Sequence, residues 1–246
     1  MTKPIVSVKD FSLMIAGKQI VKQLDFEVMA GEVFAFLGSN GSGKTSTIRS
    51  LLGIYQATTG ELLFNGAKLT PETAAAVGYL PEERGLYSRA KVLDTMAYFG
   101  ELKGMDRRDA KAEALAFLER VELSDKANVK IKKLSGGQQQ KVQLGVAVMD
   151  NPKLLILDEP TKGLDPVNRK LLLDIVDELQ EKGVAVIYIT HLMEEVERLA
   201  DRLLVLKDGK ARAYGTVADV KKEFKSKSIE DIFVSIYKEK STETAK

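Results

Sequence analysis

The 246-residue chain has no cysteine and only one histidine. Without cysteine it can have no disulfide framework, no thiolate nucleophile and no cysteine-ligated metal site. It also lacks any stretch that approaches the roughly 18 consecutive apolar residues of a membrane-spanning helix. Its first residues, MTKPIVSV, lead into a strand pattern rather than a secretory signal. We therefore expect a cytosolic protein that reaches a membrane only through a partner.

The sequence also has no large excess of positive or negative charge. The sequence has 37 basic and 35 acidic residues, so its formal net charge is +2. This balance gives no electrostatic argument for binding nucleic acid, and no nucleic-acid partner is expected. Hydrophobic residues make up 44% of the chain, which suits one large α/β domain or a domain with a modest appendage.

Short apolar runs alternate with amphipathic helical patterns, which is typical of βα units and a largely parallel sheet. Strands are predicted at 33–38, 153–159, 184–190 and 202–208. A helix is predicted after Asp165, with Asp165 as its cap, Pro166 at its first position and Gly183 at its end. The Asp-Gly pair in KDGKA predicts a tight hairpin.

Between Tyr87 and Lys133 the pattern becomes helical only. The segments VLDTMAYFGELKG and RRDAKAEALAFLERVEL both predict helices, with no strand between them. We interpret this region as a helical subdomain inserted into an α/β core. After Gly215 a charged tail follows, in which IEDIFVSIY is amphipathic and is expected to pack on the core, whereas KEKSTETAK is expected to fray.

The segment GSNGSGKT fits the phosphate-binding pattern G-x-x-x-x-G-K-[ST], with a predicted strand before it and a predicted helix after it. Its glycines let backbone N–H groups wrap a β-phosphate, Lys44 reaches the β- and γ-phosphates, and the Thr45 hydroxyl can ligate Mg²⁺. A dinucleotide pattern fails because position 46 is serine. The predicted nucleotide-binding residues here are Gly38, Ser39, Asn40, Gly41, Ser42, Gly43, Lys44, Thr45 and Ser46.

Two carboxylates end a predicted buried strand in the segment LLILDEP. Asp158 is suited to hold Mg²⁺ through its shell and Glu159 to accept a proton from an attacking water, although an isolated Asp-Glu pair is more often two solvated acids. The single histidine, His191, follows another predicted core strand at the sheet edge where α/β proteins place ligands. The sequence predicts contact of His191 with a γ-phosphate there, although a lone histidine is more often a surface or core residue without a catalytic role.

A second possible anion site begins about 95 residues after the first, in the segment LSGGQQQK. A serine and two glycines opening a helix present N–H groups and the positive helix end in one direction. Taken alone, this segment could also be an ordinary helix start capped by Ser135. The segment alone does not explain why one chain should have two phosphate-binding sites. The order of all the motifs does.

That order is GSNGSGKT, LSGGQQQK, LLILDEP, TKGLDP and a strand ending in Thr-His, and it resembles the ATP-binding-cassette ATPases over residues 4 to 215. The resemblance implies an α/β fold: a P-loop nucleoside triphosphate hydrolase core with a mostly parallel sheet, an antiparallel β subdomain near the N-terminus and an inserted α-helical subdomain. It places the nucleotide-binding domain at 1–218, the helical insert at about 87–134 and the charged C-terminal tail at 219–246.

The resemblance also implies that two chains, either identical or homologous, pack head to tail around two ATP molecules. Each ATP would lie between the P-loop of one chain and the signature of the other, which comprises Ser135, Gly136, Gly137 and Gln138. Asp165 would lie at the dimer interface, and Glu159 and His191 would be catalytic. The implied cofactors are ATP and Mg²⁺, with the metal ligands Thr45, Glu82 and Asp158.

The implied function is an ATP-binding and ATP-hydrolysing subunit of a membrane transporter. It would power a separate transmembrane permease that touches the helical insert, and would lie at the cytoplasmic face of the cell membrane. The phrase LPEERGLY resembles a subgroup that serves exporter-type permeases, including sodium and antibiotic exporters. We therefore expect an exporter.

Two positions depart from the family pattern. Glu82 stands where glutamine is usual, and we expect hydrolysis to survive because a carboxylate is a competent ligand for a hard metal. Ile15 stands where an aromatic side chain normally stacks on adenine, so it would give apolar contact without stacking. Phe11 lies nearby, and we expect it to be a core residue of the first strand.

Two other classes of protein remain to be weighed. A non-transport ATPase of the same family, acting on DNA or ribosomes, usually carries long coiled-coil insertions or two cassettes, and neither is present in this sequence. A regulatory GTPase would need an N-K-x-D motif, which is missing, and would leave LSGGQ unexplained.

Overall fold

The computed structural model describes residues 3–83 and 85–238. In chain order, the strands are β1 (Val6–Ile15), β2 (Lys18–Val28), β3 (Val33–Leu37), β4 (Thr59–Phe64), β5 (Val77–Leu80), β6 (Leu154–Asp158), β7 (Ala185–Ile189), β8 (Arg202–Lys207) and β9 (Lys210–Thr216). The helices are α1 (Lys44–Leu51), α2 (Pro71–Ala74), α3 (Val92–Leu102), α4 (Arg107–Arg120), α5 (Gly136–Val148), α6 (Pro166–Glu181), α7 (Met193–Leu199), α8 (Val217–Glu223) and α9 (Ile229–Lys238).

The described residues form two compact units. The first unit takes the residues before position 70 and those from 189 onward, and the second takes Thr70–Tyr188. The P-loop and the end of the chain therefore belong to the first unit. The helices predicted as an insert belong to the second.

An antiparallel sheet of three strands, in the order β2-β1-β4, opens the first unit. Its β1 strand buries Phe11 completely. The β subdomain expected near the N-terminus is thus present, and the interpretation of Phe11 as a core residue is confirmed. The same unit contains β3 parallel to β8, and β8 antiparallel to β9.

The predicted hairpin joins β8 to β9. Its two central residues, Asp208 and Gly209, both have positive φ, at 52° and 73°. This backbone shape suits a two-residue loop because its twist matches that of the flanking strands, and Asp-Gly is among the pairs that adopt it readily. A Cβ on Gly209 would lie 2.3 Å from the carbonyl oxygen of Ile20, so close packing also requires glycine here.

The C-terminal helix α9 packs on the first unit through Ile229, Ile232 and Ile236, which are almost completely buried. Their spacing puts them on one helical face, against apolar residues that include Leu37 of β3 and Val205 of β8. The expectation that this amphipathic piece packs on the core is confirmed. Residues 239–246, most of the end that is expected to fray, lie outside the described residues.

The second unit has strands in the order β5-β6-β7, with β5 parallel to β6. Helices α3 and α4 appear where the sequence predicts them, and the described residues from 85 to 133 contain no strand between them. Helix α6 begins as predicted: the side chain of Asp165 accepts hydrogen bonds from the backbone N–H groups of Val167 and Asn168, and Pro166 occupies the first position. Gly183, at φ 86°, follows its end.

Candidate functional site

The phosphate-binding segment connects β3 to α1 in the first unit. Gly41 and Gly43 have φ of 79° and 111°, which side chains of L-residues rarely adopt. Gly43 is the N-cap of α1, and no side chain caps this helix. The N–H groups of the first turn and the positive helix end therefore face an anion-binding position without a competing side-chain acceptor.

The amine of Lys44 reaches back to the first two residues of the phosphate-binding segment. Its Nζ donates to the carbonyl oxygens of Gly38, at 2.6 Å, and Ser39, at 3.1 Å. Phosphate oxygens are stronger acceptors for an ammonium group than neutral carbonyls. Bound triphosphate would thus draw this amine onto the β- and γ-phosphates.

The other two predicted residues of the first unit are His191 and Ile15. His191 is exposed and follows β7 in a turn fixed by Thr190, whose hydroxyl donates to Glu195 at 3.1 Å and accepts from the N–H of Leu192 at 3.0 Å. Ile15 ends β1 and is 37% exposed. Both side chains can be reached by a ligand.

The two predicted carboxylates of LLILDEP differ in their settings. Asp158 ends β6 and is almost completely buried, at 3% exposure. Glu159 is half-buried and has φ 51°, a left-handed conformation that costs a non-glycine residue about 1 to 2 kcal/mol. Such strain persists only where the surrounding structure maintains it, and it is often found at functional positions.

Glu82 and Glu159 line one pocket of about 480 Å³ in the second unit, and Gln140 and Lys162 line it as well. The amine of Lys162 donates to the carboxylate of Glu82 at 2.7 Å. This hydrogen bond raises the pKa of Lys162, and the nearby carboxylates of Glu159 and Asp158 add to the effect. Lys162 therefore brings a permanent positive charge to a pocket of carboxylates.

The signature segment begins α5. The hydroxyl of Ser135 accepts from the N–H of Gln138 at 3.2 Å, and the side-chain oxygen of Gln138 accepts from the N–H of Ser135 at 2.9 Å. This reciprocal capping box shows that Ser135 is a helix cap within its own chain. Ser135 is nevertheless exposed, so capping leaves it accessible to another molecule.

Two glutamines of α5 tie the signature helix to the loops around the pocket. The buried amide of Gln140 donates to the carbonyl of Pro160 at 3.0 Å. The amide of Gln143 donates to the carbonyls of Pro81, at 3.3 Å, and Glu83, at 3.1 Å. A movement of α5 would therefore shift both loops that these bonds reach, the one at Pro81 and Glu83 and the one at Pro160.

The predicted metal ligands are all hard oxygen donors, from Thr45, Glu82 and Asp158. Among residues 3–83 and 85–238, no group of three or more His, Cys, Asp or Glu side chains could hold a metal ion by itself. Hydroxyl and carboxylate oxygens are donors that suit Mg²⁺, which usually keeps several waters and binds one or two protein carboxylates together with substrate phosphates. No helix in this described part of the chain is long and apolar enough to span a membrane.

A family model described as ABC transporter matches residues 21–162, more than half of the chain. The chain belongs to this family. It is 45% identical over 218 residues to an ABC transporter ATP-binding protein of Methanocaldococcus jannaschii, covering 89% of this chain and 80% of that protein. It is 39% identical to the linearmycin resistance ATP-binding protein of Bacillus subtilis over 206 residues, which are 82% of this chain and 66% of the relative.

A third relative is the Nod factor export ATP-binding protein I of Rhizobium etli, with 34% identity over 218 residues, 87% of this chain and 69% of the relative. The solved structure of an ATP-binding subunit of an ABC transporter superposes with a TM-score of 0.90 at 28% identity, covering 95% of this chain and all of that one. The ADP conformation of another ATP-binding cassette gives 0.79 at 25% identity, covering 96% and 99%.

These similarities confirm the family, the α/β fold and the general function expected from the motifs. The chain is an ATP-binding subunit of the ABC transporter family, whose members are ATPases. Family membership implies a membrane permease as the partner. ABC cassettes of this kind bind nucleotide, as the ADP-bound relative illustrates.

Sequence reasoning missed Lys162, Gln140 and Gln143. A signal for Lys162 was present: a lysine within TKGLDP brings charge into a motif that follows the Asp-Glu pair directly. The glutamines gave none, because Gln140 and Gln143 stand in a polar stretch, GGQQQKVQ, and only the fold reveals which of its residues are buried. Gln140 and Gln143 are 4% and 3% exposed.

Proposed function

We propose that this ABC subunit hydrolyses Mg-ATP between two chains packed head to tail and so powers a transmembrane permease of the exporter type. The observation that carries the proposal is the pair of different helix starts. Helix α1 has no side-chain cap, which suits direct phosphate binding, whereas α5 is capped by its own exposed serine. The second start needs no ligand to be stable, and it remains accessible to a nucleotide held by another chain.

The phosphates would be bound by the segment from Gly38 to Ser46, with Lys44 paired to the β- and γ-phosphates. Ile15 would give the base an apolar contact. On the opposite chain, Ser135 to Gln138 would close over the γ-phosphate, and Asp165 would lie at the interface between the chains. A hydrogen bond from the backbone N–H of Asn168 lowers the pKa of Asp165, so Asp165 is a carboxylate throughout the physiological pH range.

Hydrolysis would depend on Glu159, which accepts a proton from the attacking water, and on His191, which contacts the γ-phosphate. The Thr45 hydroxyl, Asp158 and Glu82 would hold Mg²⁺. The ion would supply the positive charge that neutralises the reacting phosphates. The strained backbone of Glu159 supports its assignment, because residues held in such conformations are often found at active sites.

The surface we assign to the permease lies on the second unit and consists of Tyr87, Tyr98, Phe99 and Leu102, here called the insert patch. The three aromatic rings contact one another, with centroids 5.7 to 6.1 Å apart. Tyr87 and Leu102 are 57% and 61% exposed. An exposed aromatic cluster on a charged helical subdomain is typical of a protein interface.

The exporter assignment is supported by relatives named for linearmycin resistance and Nod factor export, and by the LPEERGLY phrase. The proposed organisation is a nucleotide-binding domain at 1–218 with a helical insert at about 87–134, followed by a tail at 219–246. The proposed place of action is the cytoplasmic face of the membrane, where the permease would hold the subunit.

Phosphate release by the purified chain at several protein concentrations tests the proposal. A site shared by two chains predicts that the rate per chain rises with concentration, since only the dimer hydrolyses. Glu159→Gln should lower the rate by about a hundredfold or more while ATP binding persists. Glu83→Gln, in the same pocket, is the matched control and should hydrolyse at close to the normal rate. Equal rates for Glu159→Gln and the unmodified chain would contradict the assignment.

A further inference from the structure

The P-loop is fastened by residues that lie outside every nucleotide-binding motif. The backbone N–H of Ser39 donates to the hydroxyl of Tyr237 at 2.7 Å. The same hydroxyl donates to the carbonyl of Leu206, at the end of β8, at 2.6 Å. One tyrosine on the C-terminal helix α9 thus joins the first turn of the P-loop to the neighbouring strand.

The geometry around Tyr237 is tightly defined. Its ring lies 4.5 Å from that of Phe233, between centroids. The amine of Lys207, a buried residue, donates to the carbonyl of Ile236 at 2.7 Å and lies 5.7 Å from the Tyr237 ring. A cation near the last carbonyls of a helix stabilises that helix end. Together with the buried isoleucines of α9, these contacts hold the Tyr237 hydroxyl in place.

A second fastening lies on the other side of the loop tip. The carbonyl of Ser42 accepts from the N–H of Gly209, in the hairpin turn between β8 and β9, at 3.1 Å. Ser39 and Ser42 therefore anchor the two ends of the exposed stretch Asn40–Gly41. Close packing supports the same arrangement, since a Cβ on Gly38 would lie 2.6 Å from the carbonyl oxygen of Leu206.

We propose that Tyr237 is a positioning residue for the phosphate-binding loop, and that the C-terminal helix α9 thereby takes part in nucleotide binding. The inference rests on the proposal that Gly38–Thr45 binds the phosphates. A loop held in shape before nucleotide arrives loses less conformational freedom on binding, so affinity is higher. Because binding linkage is reciprocal, bound nucleotide must in turn hold α9 more firmly on the first unit.

The test compares two tyrosines of the same unit whose hydroxyls each accept a hydrogen bond from a backbone N–H group. The hydroxyl of Tyr214 also accepts from a backbone N–H, that of Glu27 at 3.1 Å, and from the guanidinium of Arg202. Tyr214→Phe therefore removes a similar hydroxyl whose partners, Glu27 and Arg202, lie outside every phosphate-binding motif. Tyr237→Phe removes the hydroxyl that contacts Ser39.

For both variants we would measure the dissociation constant of Mg-ADP by calorimetry and amide exchange at Ser39 by NMR. Tyr237→Phe should weaken binding about three- to tenfold, the effect of losing one or two modest hydrogen bonds, and should speed exchange at Ser39. Tyr214→Phe should leave both values near those of the unmodified chain. Normal affinity and normal Ser39 exchange in Tyr237→Phe would overturn the inference.

The variant Lys44→Ala distinguishes a failure of this inference from a failure of the proposal on which it rests. Unchanged Mg-ADP affinity in Lys44→Ala would refute the phosphate-loop assignment itself. Loss of binding in Lys44→Ala, with normal binding in Tyr237→Phe, would refute the role of Tyr237 alone.

The unmodified chain gives a measurement that does not depend on any variant folding. Saturating Mg-ADP should slow amide exchange in α9, at residues 229–238, as well as in the P-loop. Exchange in α9 that is equal with and without nucleotide would refute the coupling.

Discussion

Glu82 and Lys162 form an ion pair in the second unit, with Nζ 2.7 Å from Oε1, although 80 positions separate them in the chain. Both side chains are well exposed, at 46% and 61%, so the pair contributes little to stability. Its consequence is electrostatic: it brings a cation into the pocket where Glu82 and Glu159 lie. Lys162 thus offsets part of the negative charge that Glu82 and Glu159 bring to this pocket.

Substitutions of the two partners should shift the magnesium requirement in opposite directions. Glu82→Ala removes a carboxylate that we propose as a ligand and should raise the Mg²⁺ concentration for half-maximal ATP hydrolysis several-fold. Lys162→Met removes a cation that repels Mg²⁺ and should lower that concentration. Both expected shifts follow from the Coulomb interaction of Mg²⁺ with a side-chain charge a few ångströms away.

Magnesium titrations of ATP hydrolysis would measure these shifts. Lys170→Met is the control for the lysine, because Lys170 also pairs with a carboxylate, that of Asp174, on the exposed face of α6. Its magnesium curve should match that of the unmodified chain. Shifts of the same sign in Glu82→Ala and Lys162→Met would refute the charge argument.

Ser135 should have two functions that one substitution can separate. Ser135→Asp keeps a side-chain oxygen for the N–H of Gln138 and adds a negative charge at a helix N-terminus, so stability should be retained. The same charge would face the γ-phosphate of the partner's ATP and should prevent ATP-dependent dimerisation. Ser135→Ala should instead cost about 1 kcal/mol of stability through loss of the cap.

Thermal melts and sedimentation with Mg-ATP would distinguish these effects. A stable Ser135→Asp chain that remains monomeric with ATP is the predicted outcome. Normal dimerisation of that variant would show that the signature does not meet a phosphate.

Because of Lys103, the stability of the second unit should change with pH in the alkaline range. Its amine donates to the carbonyls of Ala147, at 3.1 Å, and Met149, at 2.8 Å, at the end of the signature helix. Burial lowers the pKa of Lys103 to about 8, against the opposing pull of Asp150 and Glu113. Between pH 8 and about 10.5 the unfolded chain therefore binds more protons than the folded one, so stability rises with pH in that window.

Chemical denaturation of the unmodified chain and of Lys103→Met at pH 7.5 and pH 10 isolates this contribution from that of other titrating groups. The unmodified chain should gain about 2 kcal/mol relative to the variant over that range. A difference between the two that does not change with pH would contradict the lowered pKa.

The features that the sequence predicted well are local. The cap at Asp165 and the turn at Asp208–Gly209 each depend on residues a few positions apart, so the chain itself displays them. The P-loop is also a single contiguous segment. The predicted strands agreed with the observed ones within one residue at each end, whereas the second predicted helix of the insert ends three residues earlier than expected, at Arg120.

The features that the sequence could not predict depend on distant partners. The pair of Glu82 with Lys162 and the bond from Ser39 to Tyr237 join positions 80 and 198 apart. Helical periodicity showed that α9 has a buried face, but not that a hydroxyl at its end would meet the P-loop. The left-handed backbone of Glu159 gave no signal either, since glycine or asparagine is the usual mark of such a conformation.

The mass of Glu159→Gln in solution, measured by light scattering with and without Mg-ATP, tests the shared site most directly. The amide keeps the shape of the carboxylate but cannot act as a base, so bound ATP should persist between the chains. The account predicts a monomer without ATP and a dimer with it, and no dimer when a bulky residue replaces Ser135. A mass that stays the same despite demonstrated ATP binding would contradict a nucleotide shared between two copies of this chain.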